Sequence, residues 1–200
     1  EISQYFFKAL PKPILKILTK VFTKIICNLS DKIIIETEIG KKALVEYFGI
    51  QKEKIKVIQL GIAPYQAKTK FDNNKLKNIP KNKKIILYFG VISPRKTQDM
   101  VIRAFSRICE ELSDYILVIA GSAPKEYQAY EKGLKKLVQK LDLNEKVIFT
   151  GFVDDDKVDQ LFCISDFTLF IYQPMSSGTY ALTYSIFHNK PCIVSNIETF

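Results

Sequence analysis

The chain has 200 residues, of which 47% are hydrophobic and 26% are charged. This length and composition suit one α/β domain, or one domain and part of another, with a sizeable core. No run of 18 apolar residues occurs, so the sequence predicts no transmembrane helix, and no signal peptide is recognisable. The chain begins with Glu1 rather than methionine, and we therefore expect it to be a piece of a longer protein.

The net charge of +9 is concentrated in residues 1–83, which have a balance of +10, whereas residues 84–200 have a balance of −1. A chain this basic raises the question of nucleic-acid binding. The basic residues are nearly all lysine, however, and recognition of bases most often uses arginine. The chain has three arginines, namely Arg95, Arg103 and Arg107. We therefore expect no nucleic-acid partner.

Cysteine and histidine are too few and too scattered for several kinds of site. The four cysteines form no CxxC motif and are Cys27, Cys109, Cys163 and Cys192. We expect them to be buried, reduced thiols in a cytoplasmic protein. His188 is the only histidine, which argues against a zinc site, a Ser-His-Asp triad or a Cys-His mechanism. We predict no metal site and a structural role for His188.

Residues 5–29 are predicted to form an amphipathic helix. Lysines recur every four residues on one face, and large aliphatic and aromatic side chains fill the other. Pro11 and Pro13 suit a helix start near that point. One interpretation is a helix packed against a neighbouring domain, with its lysines in solvent. The other is a helix that lies on an anionic membrane surface.

The chain then alternates between strand and helix before its composition changes. The predicted elements are a strand, a helix and a strand at residues 31–37, 38–48 and 54–60. Residues 63–83 are rich in lysine and asparagine and contain two prolines, which is typical of a linker. The predicted domain organisation is the end of one domain, a linker and a second domain at residues 1–66, 67–83 and 84–200.

Strands and helices alternate regularly from residue 84 onward. The predicted strands are at residues 84–89, 115–120, 146–150, 167–172 and 192–195. The predicted helices between them are at residues 98–112, 125–141, 156–164 and 179–188. This pattern predicts an α/β fold with a doubly wound parallel sheet. In such sheets ligands bind beyond the carboxyl ends of the strands.

The first of these strands is followed by the features of an anion site. Gly90 ends the strand, and Arg95 and Lys96 precede the predicted helix, whose N-terminal N–H groups and dipole favour anions. Small residues also follow the later strands, at Gly121-Ser122, Gly151 and Ser176-Ser177-Gly178. Small residues allow a close approach of backbone to ligand, so we predict a phosphate-bearing ligand at this edge of the sheet.

Five motifs occur in order along this part of the chain. They are Phe-Gly-Val-Ile-Ser-Pro-Arg-Lys (89–96), Leu-Val-Ile-Ala-Gly-Ser (117–122), Val-Ile-Phe-Thr-Gly-Phe-Val (147–153), Ser-Asp-Phe-Thr-Leu-Phe-Ile-Tyr (165–172) and Asn-Lys-Pro-Cys-Ile-Val-Ser-Asn (189–196). In this order they resemble the GT-B glycosyltransferases, and most closely the retaining family 4, also described as glycosyl transferases group 1. The resemblance implies an incomplete Rossmann-like domain that binds the sugar-nucleotide donor, preceded by the end of an acceptor-side α/β domain.

The resemblance also implies roles for individual residues. Lys96 matches a lysine that contacts the donor diphosphate. The residues expected at the diphosphate are Gly90, Arg95, Lys96, Ser176, Ser177, Gly178 and Thr179. Those expected at the nucleoside are Gly121, Ser122, Gly151, Phe152, Val153 and Tyr184. The paired glutamates of the family are replaced by Ser176 and Tyr184, which leaves the identity of the donor open.

The function implied is the transfer of a hexose, with retention, from a nucleotide diphosphate sugar such as a UDP- or GDP-sugar to an acceptor. The donor is a co-substrate, and no cofactor is expected. No catalytic residue is identified from the sequence. Two alternatives stay open, an inactive nucleotide-sugar-binding scaffold and a membrane-surface module led by residues 5–29. The acceptor is unknown, with a lipid-linked acceptor as one alternative, and the expected location is the cytoplasm or the inner membrane surface.

Overall fold

The computed structural model describes residues 11–59, 61, 79–80, 82–173 and 180–197. These residues divide into two compact units, one formed by residues 11–59 and the other by the described residues from Gly61 onward. Most of the predicted linker lies outside the described residues, so the predicted domain organisation stays a prediction. In the part of the chain that the structure describes, no helix combines the length and the apolar character needed to cross a membrane.

The first unit is a small α/β arrangement with two parallel strands. Its elements are α1 (Lys12–Leu29), β1 (Ile33–Ile35), α2 (Glu38–Phe48) and β2 (Ile55–Val57). α2 begins where the Thr37 hydroxyl accepts a hydrogen bond from the Gly40 N–H, and it ends at Gly49, whose φ of 66° is left-handed. The helix predicted at 38–48 is confirmed. Both strands are shorter than predicted, because they pair with each other over only three residues.

The helix predicted at residues 5–29 is observed as α1, and residues 5–10 lie outside the described residues. Pro13 occupies its second position, as its fixed φ favours. One narrow face of α1, which includes the buried Cys27, packs against the rest of the first unit. Its exposed apolar side chains are Ile14, Ile17, Val21, Phe22, Ile25, Ile26 and Leu29.

The second unit confirms the predicted doubly wound sheet. Its strands are β3 (Lys84–Phe89), β4 (Tyr115–Ala120), β5 (Val147–Gly151), β6 (Phe167–Phe170) and β7 (Cys192–Val194). Its helices are α3 (Gln98–Ile108), α4 (Gln128–Lys140), α5 (Asp155–Ile164) and α6 (Tyr180–Phe187). All strand pairs are parallel, and the strand order is β5-β4-β3-β6-β7. Along the chain, β4 and β5 are therefore added on one side of β3, and β6 and β7 are then added on its other side.

The core lies on both faces of the central strand β3. Ile85 and Leu87 point into one hydrophobic cluster, whose helical side is α5, and Ile86 and Tyr88 point into another, whose helical side is α3 and α4. Leu87 and Tyr88 have no exposed surface. Complete burial of a large apolar side chain contributes about 1.5–3 kcal/mol. This explains why β3 is an uninterrupted apolar run rather than an alternating one.

Several helix and strand ends differ from the predicted bounds. α3 ends at Ile108 instead of residue 112, and residues 109–114 form turns that lead into β4. A short 3-10 helix at Lys125–Tyr127 precedes α4. β6 stops at Phe170, because the residues that follow bond to the loop after β3 and to Ser195 instead of continuing a ladder.

The prediction of four buried cysteines is wrong for two of them. Cys27 and Cys109 are buried, whereas Cys163 and Cys192 are exposed. Cys163 lies in the last turn of α5. Cys192 lies in β7, an edge strand whose three residues are all exposed. All four are free thiols.

Candidate functional site

The candidate site lies where the strand order reverses, between β3 and β6. In doubly wound sheets the loops that follow two such strands leave a crevice between them. Here the loops are joined by hydrogen bonds. The Gln173 N–H donates to the Arg95 carbonyl at 3.0 Å, and the Thr97 hydroxyl donates to the Ile171 carbonyl. The cations that follow β3 are thereby held beside the carboxyl end of β6.

Arg95 and Lys96 belong to a single 3-10 turn, Pro94–Lys96, that precedes α3. Thr97 follows with a φ of 49° and turns the chain into the helix. The hydroxyl of the fully buried Tyr88 donates to the Lys96 carbonyl and lies 3.3 Å from the Ile171 carbonyl. The Tyr88 side chain of β3 therefore holds this turn in place. Arg95 is exposed and Lys96 is partly buried.

Lys96 is a cation without a carboxylate partner among the described residues. Its Nζ lies 3.4 Å from the centroid of the Tyr172 ring, which faces it from the loop after β6. Burial lowers the pKa of its ammonium group to about 8. The aromatic face offsets part of the lost hydration through a cation–π interaction. A partly dehydrated ammonium group at the crevice is well suited to receive an anionic ligand.

Three glycines lie at the carboxyl ends of β3, β4 and β5, the sheet edge from which the loop carrying Lys96 also leaves. The Gly90 N–H donates to the Ala120 carbonyl, and the Gly121 N–H donates to the Gly151 carbonyl, each at 2.9 Å. All three glycines have positive φ values, of 138°, 134° and 69° in chain order. A Cβ on Gly121 would lie 2.0 Å from the Gly90 carbonyl oxygen, so this approach requires glycine.

Gly90 and Gly151 present open backbone. A Cβ added to either would meet no atom of the described residues within 4 Å. These two glycines therefore border space that a ligand can enter, whereas Gly121 is closed by its neighbour. This is the arrangement expected where backbone approaches a phosphate group.

The residues predicted at the nucleoside lie in different environments. The Ser122 carbonyl accepts a hydrogen bond from the Ile92 N–H at 3.1 Å, which ties the loop after β4 to the loop after β3. Phe152 follows β5 and is 75% exposed, whereas Val153 is buried in the core against α5. A ligand at this edge would thus meet the ring of Phe152 and not the side chain of Val153.

Tyr184, which stands at the position of a family glutamate, is packed among aromatic rings and carries no carboxylate. Its ring stacks on Phe162 with centroids 5.3 Å apart and meets Tyr180 edge-on at 5.4 Å. Burial raises the pKa of its hydroxyl. The four residues Ser176, Ser177, Gly178 and Thr179 lie outside the described residues, so their predicted role stays a prediction.

Sequence reasoning missed Tyr88, Thr97 and Tyr172, the three residues that hold Lys96. Each looks like an ordinary strand or loop residue, and their joint role depends on β3 and β6 being neighbours. The only signal in the sequence was a pair of tyrosines at the carboxyl ends of two apolar strands. Among the described residues, no group of three or more histidine, cysteine or acidic side chains could hold a metal ion.

Comparison with known proteins is consistent with this geometry. The family model described as glycosyl transferases group 1 matches residues 69–200. An uncharacterised glycosyltransferase of Methanocaldococcus jannaschii is 28% identical over 166 residues, which cover 78% of this chain and 40% of that protein. The alpha-monoglucosyldiacylglycerol synthase of Streptococcus pneumoniae is 28% identical over 165 residues, which cover 77% of this chain and 34% of that protein.

A solved structure shows the same fold. Anabaena HepE in complex with UDP and glucose matches with a TM-score of 0.75 and 20% identity, over 90% of this chain and 49% of that one. The chain thus spans less than half the length of each of these proteins.

Proposed function

Because the chain belongs to the glycosyl transferases group 1 family, we propose that the protein moves a hexose from a nucleotide diphosphate sugar to an acceptor, with retention at the anomeric carbon. The HepE structure contains UDP and glucose, which makes a UDP-sugar the first donor to test. Binding of the donor is assigned to the second unit, where the crevice between β3 and β6 opens.

The observation that carries the proposal is the partly buried Lys96, held against Tyr172 in the loop that follows β3 and Gly90. When the bond between sugar and diphosphate breaks, negative charge develops on the departing phosphate oxygen. The Lys96 ammonium would lie against that charge and stabilise it. Arg95, exposed on the same turn, would add a second cation with a planar fork suited to phosphate oxygens. The backbone at Gly90, which carries no side chain, would leave room for the phosphate groups.

The nucleoside would extend from the diphosphate toward the ends of β4 and β5. Gly121 and Gly151 are joined there by a backbone hydrogen bond, Ser122 is joined to the loop after β3 by another, and Phe152 offers an exposed aromatic face. Stacking of a base on an aromatic side chain is worth about 1–3 kcal/mol and tolerates different bases. Such a site would bind the base without selecting it strongly by hydrogen bonding.

A second candidate function keeps the binding and omits the transfer. Tyr184 stands where the family has a glutamate, and its ring is engaged with Phe162 and Tyr180. A tyrosine so packed cannot supply the charge of a carboxylate. Binding of donors without turnover, across a panel of sugar nucleotides and acceptors, would favour this nucleotide-sugar-binding scaffold over the transferase.

α1 favours contact with a membrane surface. It combines a row of exposed apolar side chains with lysines along an 18-residue helix. The Streptococcus relative is by name a synthase of a glucosylated diacylglycerol, so a lipid-linked acceptor is the acceptor class to test first. Co-sedimentation with vesicles rich in anionic lipid, compared with neutral vesicles, examines this contact. Equal recovery from both would count against an electrostatic membrane site.

The experiment that tests donor binding is a thermal-shift screen of UDP, GDP, ADP and their sugar conjugates. A ligand at 100 times its dissociation constant stabilises the folded state by about 2.7 kcal/mol. We expect one nucleotide to raise the melting temperature of the wild type and to have little effect on Lys96→Met.

Lys84→Met is the matched control. Lys84 lies at the opposite end of β3, pairs with Asp114 at 2.9 Å and also lies over a tyrosine ring, that of Tyr115. This variant should keep the ligand-induced shift. A shift that is absent from the wild type, or that persists in Lys96→Met, would contradict the assigned diphosphate site.

A further inference from the structure

A second cluster of reactive side chains lies away from the candidate donor site, where the end of α5 meets the end of α6. The Cys163 Sγ lies 3.4 Å from the His188 Nδ1, and the His188 Nε2 lies 3.1 Å from the Asp159 Oδ1. The three side chains thus form a line from an exposed thiol through an imidazole to a carboxylate. We call them the Cys163–His188–Asp159 cluster. The sequence, with one histidine, argued against a Cys-His mechanism, and the structure places that histidine beside a cysteine.

The imidazole in this cluster is held rigidly. The side chains of His188 and Asp159 are only 7% and 9% exposed. The His188 ring stacks on Phe162 at 6.0 Å with an interplanar angle of 14°, and it meets Phe187 edge-on at 5.0 Å. A carboxylate can only accept a hydrogen bond, so in the neutral imidazole Nε2 carries the proton. Nδ1 is then the acceptor that faces the thiol.

The charges around the thiol determine how it can be activated. Burial raises the pKa of the Cys163 thiol and the charge of Asp159 raises it further, whereas the ammonium group of Lys190 lowers it. The Lys190 Nζ donates to the Cys163 carbonyl at 2.8 Å. Cys163 also lies in the last turn of α5, where the helix dipole disfavours an anion. The thiol therefore keeps its proton at rest and needs a base at the moment of attack.

We propose that Cys163 is a site of thiol–disulfide exchange with low-molecular-weight disulfides, with His188 as its general base and Asp159 as the residue that positions His188. The S–H proton passes to Nδ1 as Sγ attacks one sulfur of the disulfide. A new S–S bond forms, the original S–S bond breaks, and the departing thiolate takes the proton from the imidazolium. The Cys163 sulfur is oxidised to the disulfide level and the departing sulfur is reduced to a thiol.

The other cysteines of the chain provide internal controls. Cys192 is an exposed thiol in the same unit, and within the described residues it has no hydrogen bond to a histidine or carboxylate. Cys109 is buried in the core of that unit and becomes accessible only when the unit opens. Cys192 thus reports the reactivity of an ordinary exposed thiol, and Cys109 reports unfolding.

The test is a time course of reaction with oxidised glutathione at pH 7, with each cysteine quantified separately by peptide mass spectrometry. Iodoacetamide serves as a second probe. A positioned general base accelerates a proton-coupled attack by about a hundredfold or more, and the raised pKa of the Cys163 thiol offsets part of this gain. We therefore expect Cys163 to react about tenfold faster than Cys192. Equal rates for the two thiols would overturn the proposal.

Two variants separate chemistry from structure. His188→Gln keeps an N–H donor for Asp159 but has no basic nitrogen, and we expect it to remove most of the excess rate of Cys163. Asp159→Asn keeps the shape but not the charge that stabilises the imidazolium, and we expect it to remove part of the excess rate. An unchanged ratio of Cys163 to Cys192 in either variant would overturn the roles given to these residues.

Accelerated labelling of Cys109 would reveal a variant that unfolds. In that case the proposal is tested by whichever variant stays folded, together with the rates of Cys163 and Cys192 in the wild type.

Discussion

At the scale of single residues, Lys96 at the candidate donor site lowers the stability of the folded state. Lys96 is partly removed from water without a carboxylate partner in the described part of the chain, and its ammonium has a pKa of about 8 against an ordinary 10.5. A group that loses affinity for protons on folding destabilises the folded state wherever it is charged. Residues that lower stability in this way are frequently functional.

Lys96→Met should therefore alter the pH dependence of stability. Between about pH 8 and pH 10.5 the unfolded chain binds more protons at this lysine than the folded protein, so the free energy of unfolding rises with pH in the wild type. In Lys96→Met this rise should be smaller. The measurement is urea denaturation at a series of pH values.

Lys84→Met is again the control, because Asp114 raises the pKa of Lys84. The stability from Lys84 is lost only as pH rises through a pKa above 10.5, so its profile between pH 8 and pH 10 should parallel the wild type. Parallel profiles for the wild type and Lys96→Met would contradict the lowered pKa of Lys96.

Gly121→Ala should be strongly destabilising. The new Cβ would meet the Gly90 carbonyl oxygen at 2.0 Å, and the φ of 134° is one that residues with side chains rarely adopt. Strain and overpacking together should lower the free energy of unfolding by roughly 2–4 kcal/mol. Gly133→Ala is the matched control, since Gly133 lies in α4 and no atom of the described residues lies within 4 Å of its Cβ position, and this variant should gain about 0.5–1 kcal/mol of stability. Equal stabilities of the two variants in urea would refute this interpretation.

At the scale of elements, the central strand β3 both forms the core and positions the candidate site. Its interior side chains fill the two hydrophobic clusters. Its last inward tyrosine, Tyr88, reaches past the end of the strand to bond the carbonyl groups of Lys96 and Ile171. The stability of the sheet and the position of the lysine are therefore coupled through one hydroxyl group.

Tyr88→Phe should separate these two contributions. The ring still fills the core, while the Lys96 carbonyl loses its donor, so the free energy of unfolding should fall by about 1–3 kcal/mol. The affinity for the nucleotide should fall as well, because the Pro94–Lys96 turn is released. Calorimetric titration after stability has been measured tests both effects. Tyr115→Phe, at the opposite end of β4, should change neither, and an unchanged affinity in Tyr88→Phe would show that the hydroxyl does not position Lys96.

At the scale of the whole molecule, the sequence predicted the order of elements better than the contacts between them. The bounds of β3 and β4 agree with the predicted ones, because both are continuous apolar runs between polar residues. The contact of Lys96 with Tyr172 could not be predicted. It joins residues 76 positions apart and exists only because β6 lies beside β3.

The Cys163–His188 contact escaped prediction for a similar reason. It depends on how α5 packs against α6, and helix packing is set by side chains that look interchangeable in sequence. The number of histidines in the sequence does not show that the single one, His188, lies beside Cys163. Residue types limit the chemistry available to a chain, whereas the fold decides which of those residues meet.

The most direct test of the central claim is the number of protons taken up when a nucleoside diphosphate binds. Calorimetric titration at pH 8, in two buffers of different ionisation enthalpy, measures it with UDP, or with GDP or ADP if one of these binds better. Because the pKa of Lys96 is about 8 in the free protein and a bound diphosphate raises it, we expect an uptake of about half a proton. The nucleotide's own phosphate, with a pKa of about 6, contributes little at this pH. The uptake should disappear in Lys96→Met and persist in Lys84→Met. Binding without proton uptake, or uptake that survives the loss of Lys96, would contradict the assignment of Lys96 to the donor diphosphate.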